Sequence, residues 1–192
     1  TEIKLSITSD KVKILTLAWD QENLSGFSVV KKRPANQDAG FLLQKTVRYQ
    51  ENELCNIETL NGLFQGITLG NKKSQESGDI KGKLTFGILS QNDPDICVSR
   101  RSSYYSVERD STVREALQAG RVNNTFFDKI YTGREQLSGT VTVQVTLQPG
   151  AVKNIPFIQV LDYPEISLGD YQSQKKYTSF FPEETRTEDL VS

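Results

Sequence analysis

Short stretches in which polar and apolar residues alternate recur along this 192-residue chain, and turn signals separate them. The clearest one runs from Ser138 to Leu147, where threonine or glutamine alternates with valine. Gln148-Pro149-Gly150 then forms a turn, and a second strand pattern follows from Asn154 to Leu161. Alternation with a period of two is typical of strands, and about nine to eleven such stretches with little helix between them indicate antiparallel pairing. The chain is therefore predicted to be all-β, as an antiparallel sandwich or barrel.

The first two strands are predicted to form a hairpin, in which residues 2–8 pair with Val12–Trp19 through a turn at Ser9-Asp10. The next strand has apolar residues on both faces and is expected to be central. A bulge is predicted at Gly66, because a glycine inside a strand often marks one. The strands after the hairpin are Phe41–Tyr49 (the central one), Leu63–Leu69, Leu84–Leu89 and Ile96–Ser99, with a turn at Asn92–Asp95.

One short helix is predicted from Asp110 to Ala119. Thr112 and Glu115 have the spacing of a capping box, in which each side chain binds the other residue's backbone N–H. Gly120 is expected to end the helix, because glycine readily adopts the left-handed conformation that follows a helix.

The charged residues and the missing histidine exclude several classes of function. Lys+Arg number 23 and Asp+Glu number 24, so the net charge is −1, whereas nucleic-acid binders normally carry a basic surface. The sequence contains no histidine, which removes histidine-activated nucleophiles and histidine metal sites. No glycine-rich phosphate-binding motif is present. We therefore expect no metal, no cofactor and no nucleic-acid partner.

The two cysteines and the ends of the chain bear on its location. Cys55 and Cys97 lack metal-binding spacing; we interpret them as buried free thiols, with a disulfide between them left open. No apolar run approaches the roughly 18 to 20 residues that a membrane helix needs, and no secretory signal is visible, so the predicted location is the cytoplasm. The chain opens without methionine and inside a strand pattern, which is typical of a piece of a longer polypeptide.

Three blocks of the sequence carry a family resemblance. In the first, a strand ends at Trp19 and a turn of the N-x-x-G type follows from Asn23 to Gly26; in the second, Phe64-Gln65-Gly66-Ile67 fits an F-x-G-I pattern. The closing block contains Leu147-Gln148-Pro149-Gly150, Ile155-Pro156-Phe157, Leu161-Asp162-Tyr163-Pro164 and Tyr177-Thr178-Ser179-Phe180-Phe181. These blocks resemble the N-terminal domain of the non-lysosomal glucosylceramidase and bile-acid β-glucosidase family, glycoside hydrolase family 116. The chain departs from the pattern at Leu161, where the family usually has tryptophan, at Pro182, where it usually has glycine, and at the inserted Asp20-Gln21.

The resemblance implies an antiparallel β-sandwich with one short helix, followed by an (α/α)6 barrel that carries the catalytic glutamate and aspartate. No catalytic residue is therefore assigned to this chain. Residues 1–181 are expected to form a single sandwich domain, as part of a larger N-terminal domain, and residues 182–192 a linker or cut end toward the catalytic domain. That catalytic domain is the expected partner, and a β-glucoside or glucosylceramide-like substrate would be bound through it.

Candidates for contact with the catalytic domain come from the closing block. They are Asp162, Tyr163, Tyr177, Phe180 and Phe181. Asp162 has a second interpretation, in which it caps the turn before Pro164. The aromatic residues, with Tyr171, could instead belong to the core or form a platform on which sugars stack. Such a platform would make the chain an autonomous carbohydrate- or glycolipid-binding module.

Acidic pairs offer a third hypothesis, a stand-alone hydrolase, because two carboxylates flanking the sugar bond can hydrolyse a glycoside. The candidate pairs are Asp93/Asp95, Asp162/Glu165 and Glu183/Glu184. Each pair falls in a turn or in the charged tail, and we interpret all three as surface charges.

Overall fold

The computed structural model describes residues 2–6, 8–32, 42–71, 82–90, 93–123, 130–163, 165–168, 171–174, 180, 189 and 191. Within these residues it has twelve strands: β1 (Glu2–Ser6), β2 (Lys13–Glu22), β3 (Phe27–Lys32), β4 (Leu42–Thr59), β5 (Gly62–Asn71), β6 (Lys83–Leu89), β7 (Ile96–Tyr105), β8 (Tyr131–Gly133), β9 (Leu137–Leu147), β10 (Val152–Asp162), β11 (Glu165–Leu168) and β12 (Tyr171–Gln174). A 3-10 turn, Ser106–Glu108, leads into the helix α1 (Arg109–Ala119).

The strands form two main antiparallel sheets. The large sheet has the order β1-β10-β6-β5-β4-β3, with β8 also paired to β4, and the small sheet has the order β2-β9-β7. Strands β11 and β12 pair with each other. Because the strands fall into two separate sheets with a shared core, the predicted antiparallel sandwich with one short helix is confirmed.

The hydrophobic core lies between the two sheets. Valines at alternate positions of β9 pack against aliphatic and aromatic residues of β5, β6 and β10. Trp19 of β2 completes this layer, with its ring centroid 5.2 Å from that of Phe86 and 5.5 Å from that of Phe157. The residues of this cluster are Ile67, Leu69, Leu84, Phe86, Ile88, Val141, Val143, Val145, Leu147, Ile155 and Phe157. Residues of two resemblance blocks, Trp19 and Phe157, are therefore in direct contact in the core.

A second apolar cluster covers the outer face of the large sheet. Its buried members are Ile57, Phe64, Leu89, Val160 and Val191, with Cys55 and Ile158 packed beside them. Phe64 pairs with Leu89 across β5 and β6, and both have the opposite parity to the core residues on their strands. Val191, near the end of the chain, thus lies on the side of the large sheet that faces away from the core.

The first hairpin prediction is wrong. Strand β1 pairs with β10 in the large sheet, whereas β2 pairs with β9 in the small sheet. The same separation applies to β6 and β7, which are consecutive strands of different sheets; the predicted turn between them contains hydrogen bonds from Asp93 N to Ser90 O and from Ile96 N to Asp93 O. The reason is that a period of two identifies the buried face of a strand, but not the strand with which it pairs.

Two further predictions, the solvated face of β9 and the bulge at Gly66, are also wrong. The alternation in β9 predicts one solvated face, but Thr140 and Thr142 are as buried as Val141 between them, because α1 covers the outer face of the small sheet. Gly66 makes no bulge, since it pairs in regular register with Cys55 on one side and Gly87 on the other. The predicted central strand is longer than expected: β4 continues to Thr59 because Gln50–Thr59 pair with β5.

The helix begins differently from its prediction. Arg109 is the first helical residue, Glu108 is the N-cap and makes no side-chain capping bond, and Thr112 lies inside the helix. The predicted capping box is therefore wrong: Thr112 Oγ1 accepts a hydrogen bond from Arg101, and Glu115 accepts one from Asn123. Gly120 ends the helix in the left-handed conformation, with φ of 73°, as predicted.

Gly66 is required by space. A Cβ atom at this position would lie 2.5 Å from the backbone oxygen of Phe86 and 2.6 Å from Cζ of Phe64. At Gly70, on the same strand, the nearest atom would be Cγ of Lys83 at 3.4 Å, an ordinary contact. The ring of Phe64 therefore lies against Gly66, at a position where any side chain would displace it.

We predict that Gly66→Ala lowers the free energy of unfolding by about 1 to 3 kcal/mol, because the added methyl group meets backbone that cannot move aside. Gly70→Ala is the matched control and is expected to be neutral or to stabilise by up to about 1 kcal/mol, since alanine restricts the unfolded chain. Urea unfolding of both variants measures the difference. Equal effects of the two substitutions would contradict the proposed contact.

Candidate functional site

A buried network of side-chain amides connects the two sheets at one end of the sandwich. Asn23, which follows β2, is fully buried. Its Nδ2 donates to Asn52 Oδ1 of β4 at 2.7 Å and to Gly70 O of β5 at 2.9 Å. Its Oδ1 accepts from Ser25 N at 2.9 Å, and Asn52 Nδ2 donates to Ser138 O of β9 at 3.2 Å. The side chain of Asn23 thus fixes the turn after β2 and fastens it to the large sheet.

Gln50 of β4 forms the second half of this network and is also fully buried. Its Nε2 donates to the backbone oxygens of Asn23 at 2.6 Å and Ser25 at 2.8 Å. Its Oε1 accepts from Leu137 N, the first residue of β9, at 2.8 Å. Side chains of β4 therefore hold both the end of β2 and the start of β9. The N-x-x-G pattern marks this turn in the sequence, but Gln50 and Asn52 gave no signal of their own.

Gly82 lies just before β6. Residues of the first and of the closing resemblance block both contact it, so these two blocks meet here as well as in the core. Ser25 Oγ donates to Gly82 O at 2.8 Å. On its other side Gly82 has the ring of Tyr163 so close that a Cβ atom would overlap it. We call this region, defined by Ser25, Gly82, Asp162 and Tyr163, the Gly82 corner.

The five interface candidates differ in how much of each side chain is buried, and two of them are not described. Asp162 is buried, with 7% of its surface exposed, and pairs with Lys83 in the β10–β6 ladder. Tyr163 is half-buried, and this burial raises the pKa of its hydroxyl above the usual value of 10.0. Phe180 is 67% exposed. Tyr177 and Phe181 lie outside the described residues, so contact of these five with another domain stays a prediction.

Two exposed aliphatic residues are next to members of the Gly82 corner in the sequence. Leu161 precedes Asp162 and is 57% exposed, and Leu24 precedes Ser25 and is 44% exposed. Leu161 is also the position at which the family usually has a tryptophan. This end of the sandwich therefore combines a rigid polar interior with an apolar surface.

Of the three acidic pairs, the structure describes both side chains of one. Asp93 and Asp95 both bind the ammonium group of Lys153, at 2.5 and 2.9 Å. The hydrogen bond from Lys153 lowers the pKa of Asp93 below its usual value of 3.8. This pair therefore connects the β6–β7 turn to β10. The side chains of Glu165, Glu183 and Glu184 lie outside the described residues.

A second polar cluster lies between α1 and the small sheet, and the sequence analysis missed it. Asp20 of β2 pairs with Thr140 of β9, and Thr140 Oγ1 lies 2.7 Å from both Asp20 Oδ2 and the hydroxyl of Tyr104. Arg109 Nε lies 2.6 Å from Asp20 Oδ1. This contact is an ion pair between the helix and β2. In the sequence, the only sign of this cluster is the charged residue Asp20 directly after the apolar run Leu17–Trp19.

Arg101 of β7 joins the same cluster. Its Nη1 donates to Thr112 Oγ1 at 3.3 Å, and its Nη2 lies 3.6 Å from Glu108 Oε2. Its guanidinium carbon lies 5.1 Å from the ring centroid of Tyr104, within the range of a cation–π contact. The N-terminal end of α1 is thus held to the sheet by charged groups.

The ionisation of Asp20 reflects its burial, since only 4% of its side chain is exposed. Desolvation raises the pKa of this carboxyl above 3.8, and the nearby Glu22 acts in the same direction. The hydrogen bond from Thr140 and the charge of Arg109 act in the opposite direction without reversing the shift. The ionised form of Asp20 is therefore less stable in the folded protein than in water.

Comparison with known protein families shows the family to which the chain belongs. A family model described as beta-glucosidase 2, glycosyl-hydrolase family 116 N-term, matches residues 2–192. The chain belongs to this family. It is the N-terminal domain of a glycoside hydrolase, and the resemblance seen in the sequence is confirmed over the whole length of the chain. The comparison with curated proteins found no match.

Other features of this family 116 domain bear on cofactors and location. Among the residues that the structure describes, no three His, Cys, Asp or Glu side chains are grouped so as to hold a metal ion. Within the same residues, no helix is both long and apolar enough to cross a membrane. Cys55 and Cys97 do not form a disulfide with each other; Cys55 is half-buried and Cys97 is exposed, so the prediction that both are buried is wrong.

We predict that Asn52→Ala lowers the free energy of unfolding of the family 116 domain by about 1 to 3 kcal/mol, because Ser138 O loses its donor in a buried place. Asn56, exposed on the same strand, is the matched control, and Asn56→Ala is expected to change stability by less than about 0.5 kcal/mol. Chemical denaturation measures both. A similar loss in the two variants would show that the network contributes little.

We predict that Asp20→Asn becomes more stable relative to the natural protein as pH rises. A raised folded pKa means that the contribution of Asp20 is fully present below 3.8 and is lost as pH rises through the folded pKa. Asparagine does not ionise, so it escapes this loss. Urea midpoints from about pH 4 to about pH 8 measure the trend.

Asp93→Asn is the control of opposite sign. The pKa of Asp93 is lowered, so its contribution is present above 3.8 and is lost as pH falls. Asp93→Asn should therefore lose stability relative to the natural protein as pH rises toward about 4, and urea midpoints from about pH 2 to about pH 4 measure this loss. The same trend in both variants would contradict the assigned environments.

Proposed function

We propose that this domain is the non-catalytic part of a β-glucosidase or glucosylceramidase-like enzyme, and that it packs against and positions a downstream (α/α)6 catalytic barrel. The observation that carries the proposal is the match of residues 2–192 to the N-terminal domain of family 116. In this proposal residues 1–181 are the sandwich and residues 182–192 lead toward the barrel, with Val191 anchored on the large sheet. The substrate is a β-glucoside or a glucosylceramide-like lipid, bound by the barrel.

The Gly82 corner is the proposed contact surface. Asp162 and Tyr163 are held there by buried neighbours, while Leu24 and Leu161, next to Ser25 and Asp162 in the sequence, expose apolar surface. Phe180, an interface candidate from the sequence, is exposed as well. Interfaces that form permanently are more apolar than the rest of a protein surface, and rigid surfaces lose less entropy on binding. The buried amide network stands directly behind this surface through Ser25, which supports its use as a fixed platform.

The acids that the structure describes in pairs or clusters support the placement of catalysis in the other domain. A glycosidase needs one carboxyl that donates a proton and a second that faces the sugar, both at an open cleft. Asp93 and Asp95 share Lys153. Asp20 has a raised pKa, as a proton donor requires, but its side chain is buried against Arg109 and Thr140. These arrangements are structural.

The cytoplasm is part of the proposal. An exposed free cysteine, here Cys97, is typical of proteins in reducing compartments, where disulfides do not persist. Labelling of the protein in intact and permeabilised cells would locate it.

The test begins with the reading frame after Ser192, which should encode a helical domain with a glutamate and an aspartate in family-like motifs.

Phe180→Ala and Leu161→Ser are then compared in the 192-residue chain and in the full-length protein. Both side chains are largely exposed in the chain, so each change should alter its stability by less than about 0.5 kcal/mol. In the full-length protein both should lower the unfolding midpoint and the rate of β-glucoside hydrolysis.

Leu60→Ser is the matched control, because Leu60 is fully exposed at the tip of the β4–β5 hairpin and far along the chain from the Gly82 corner. It should have no effect in either protein. Equal effects of Phe180→Ala and Leu161→Ser in the short and long proteins would argue against the proposed interface. A stop codon soon after Ser192 would contradict the two-domain proposal itself.

A further inference from the structure

Helix α1 is attached to the small sheet by little apolar surface. The residues that face the sheet are small: Thr112, Ala116 and Gly120, spaced four apart, are buried. Its largest aliphatic residue, Leu117, is 51% exposed. An isolated helix of 11 residues is marginal in water, and most helices in proteins depend on a packed apolar face. Val113 is half-buried and adds some apolar contact, but the position of α1 depends largely on its polar contacts.

These polar contacts are concentrated at the N-terminal end of the helix. Arg109 pairs with Asp20 of β2, and both Glu108 and Thr112 bind Arg101 of β7. The N-cap residue makes no side-chain capping bond. Ion pairs of partly exposed side chains contribute little and are weakened by salt. Arg109 is such a residue, with 48% of its side chain exposed.

The C-terminal end of the helix is fixed more firmly. Gly120 packs against Gln144 of β9 so closely that a Cβ atom would overlap the amide. Val122 is buried, and its N–H donates to Ser99 Oγ of β7 at 3.0 Å. The left-handed conformation of Gly120 separates the helix from this anchored segment. A pivot is therefore available at Gly120.

The sheet surface under α1 is polar and incompletely satisfied. Thr142 Oγ1, Ser138 Oγ and Arg101 Nε are buried without a hydrogen-bond partner among the described residues. Thr142 and Ser138 share their parity on β9 with Thr140, which faces Asp20. A buried polar group without a partner costs about 1 to 3 kcal/mol, and exposure to water removes that cost. Hydration of this surface would therefore offset much of the packing free energy that the helix gives up when it moves away.

We propose that α1 is a lid that swings away from the small sheet about Gly120, opening from its N-terminal end and exposing the polar surface formed by Asp20, Tyr104 and Thr140. The proposal does not rest on the pairing of this domain with a catalytic barrel. It predicts that α1 opens while the two sheets remain folded, which would make it a local, low-energy motion.

The charged groups around Asp20 give the lid a dependence on pH. Arg109 faces Asp20 from α1, with Asp110 and Arg114 along the same groove. Thr140 faces it from β9, Glu22 lies nearby on β2, and Arg101 with Tyr104 lies beyond Thr140 on β7. Asp20 attracts Arg109 only when it is ionised, but the burial of its carboxyl raises the pKa by more than Arg109 lowers it. Protonation of Asp20 therefore favours the closed lid. Rising pH should therefore favour the open lid.

Hydrogen–deuterium exchange of the 192-residue protein tests the proposal. The amides of α1 should exchange faster than those of β9, with a rate that does not depend on low concentrations of urea.

Arg109→Gln should speed exchange in α1 by about two- to fivefold, which corresponds to the free energy of a partly exposed ion pair, and leave exchange in β9 unchanged. Arg114→Gln is the matched control, because Arg114 lies on the same helix and no ion pair or hydrogen bond is formed by its side chain within the described residues. High salt should act on the natural protein as Arg109→Gln does.

Two results would overturn the proposal. One is exchange of α1 and β9 with equal rates and equal urea dependence, which would mean that the helix opens only when the whole domain unfolds. The other is an equal response to Arg109→Gln and Arg114→Gln, which would mean that the ion pair with Asp20 does not hold the helix.

Discussion

The register between the two sheets depends on the buried amides of Asn23, Gln50 and Asn52. Apolar packing drives the sheets together but has no direction, so a core of valine and phenylalanine tolerates several alignments. The amides remove that freedom, because each has donors and acceptors that are satisfied in one arrangement. Asn23 extends from the small sheet to the large one, and Gln50 binds the backbone of Leu137 in return. A shift of one residue would leave these groups buried without partners, at a cost of about 1 to 3 kcal/mol for each group.

The family pattern describes this closure of the sandwich rather than any chemistry. Trp19 and Phe157, which belong to different blocks of the sequence, meet in the core. Ser25 and Tyr163 meet at opposite sides of Gly82. A sequence pattern can thus match the chain from residue 2 to residue 192 while its described members act in folding. In this chain each of the two blocks supplies one side of both contacts.

Much of the fold could be predicted from the sequence, because alternation of side chains directly reports which face of a strand is buried. Strands β6, β9 and β10 begin and end within about two residues of their predictions. Strand partners could not be predicted, since the pattern that made β1 amphipathic is satisfied equally by β2 and by β10. The burial of Asp20 and Thr140 was missed for a related reason: a covering helix hides the polar face, and only tertiary structure shows it. Asp162 was named from the family resemblance as an interface candidate, and the structure shows that its side chain is buried.

The two outer faces of the sandwich differ in what holds them. Val191 and Phe64 cover the large sheet with apolar contacts, which neither salt nor moderate pH change disturbs. Helix α1 covers the small sheet through Arg109 and Asp20, whose attraction varies with both. A surface that must hold a second domain in one position needs the first kind of support, because an interface cannot be more rigid than the elements that form it. The Gly82 corner lies where β6 begins and β10 ends in the large sheet, and this is the physical reason to seek the catalytic domain there and a changeable surface on the opposite side.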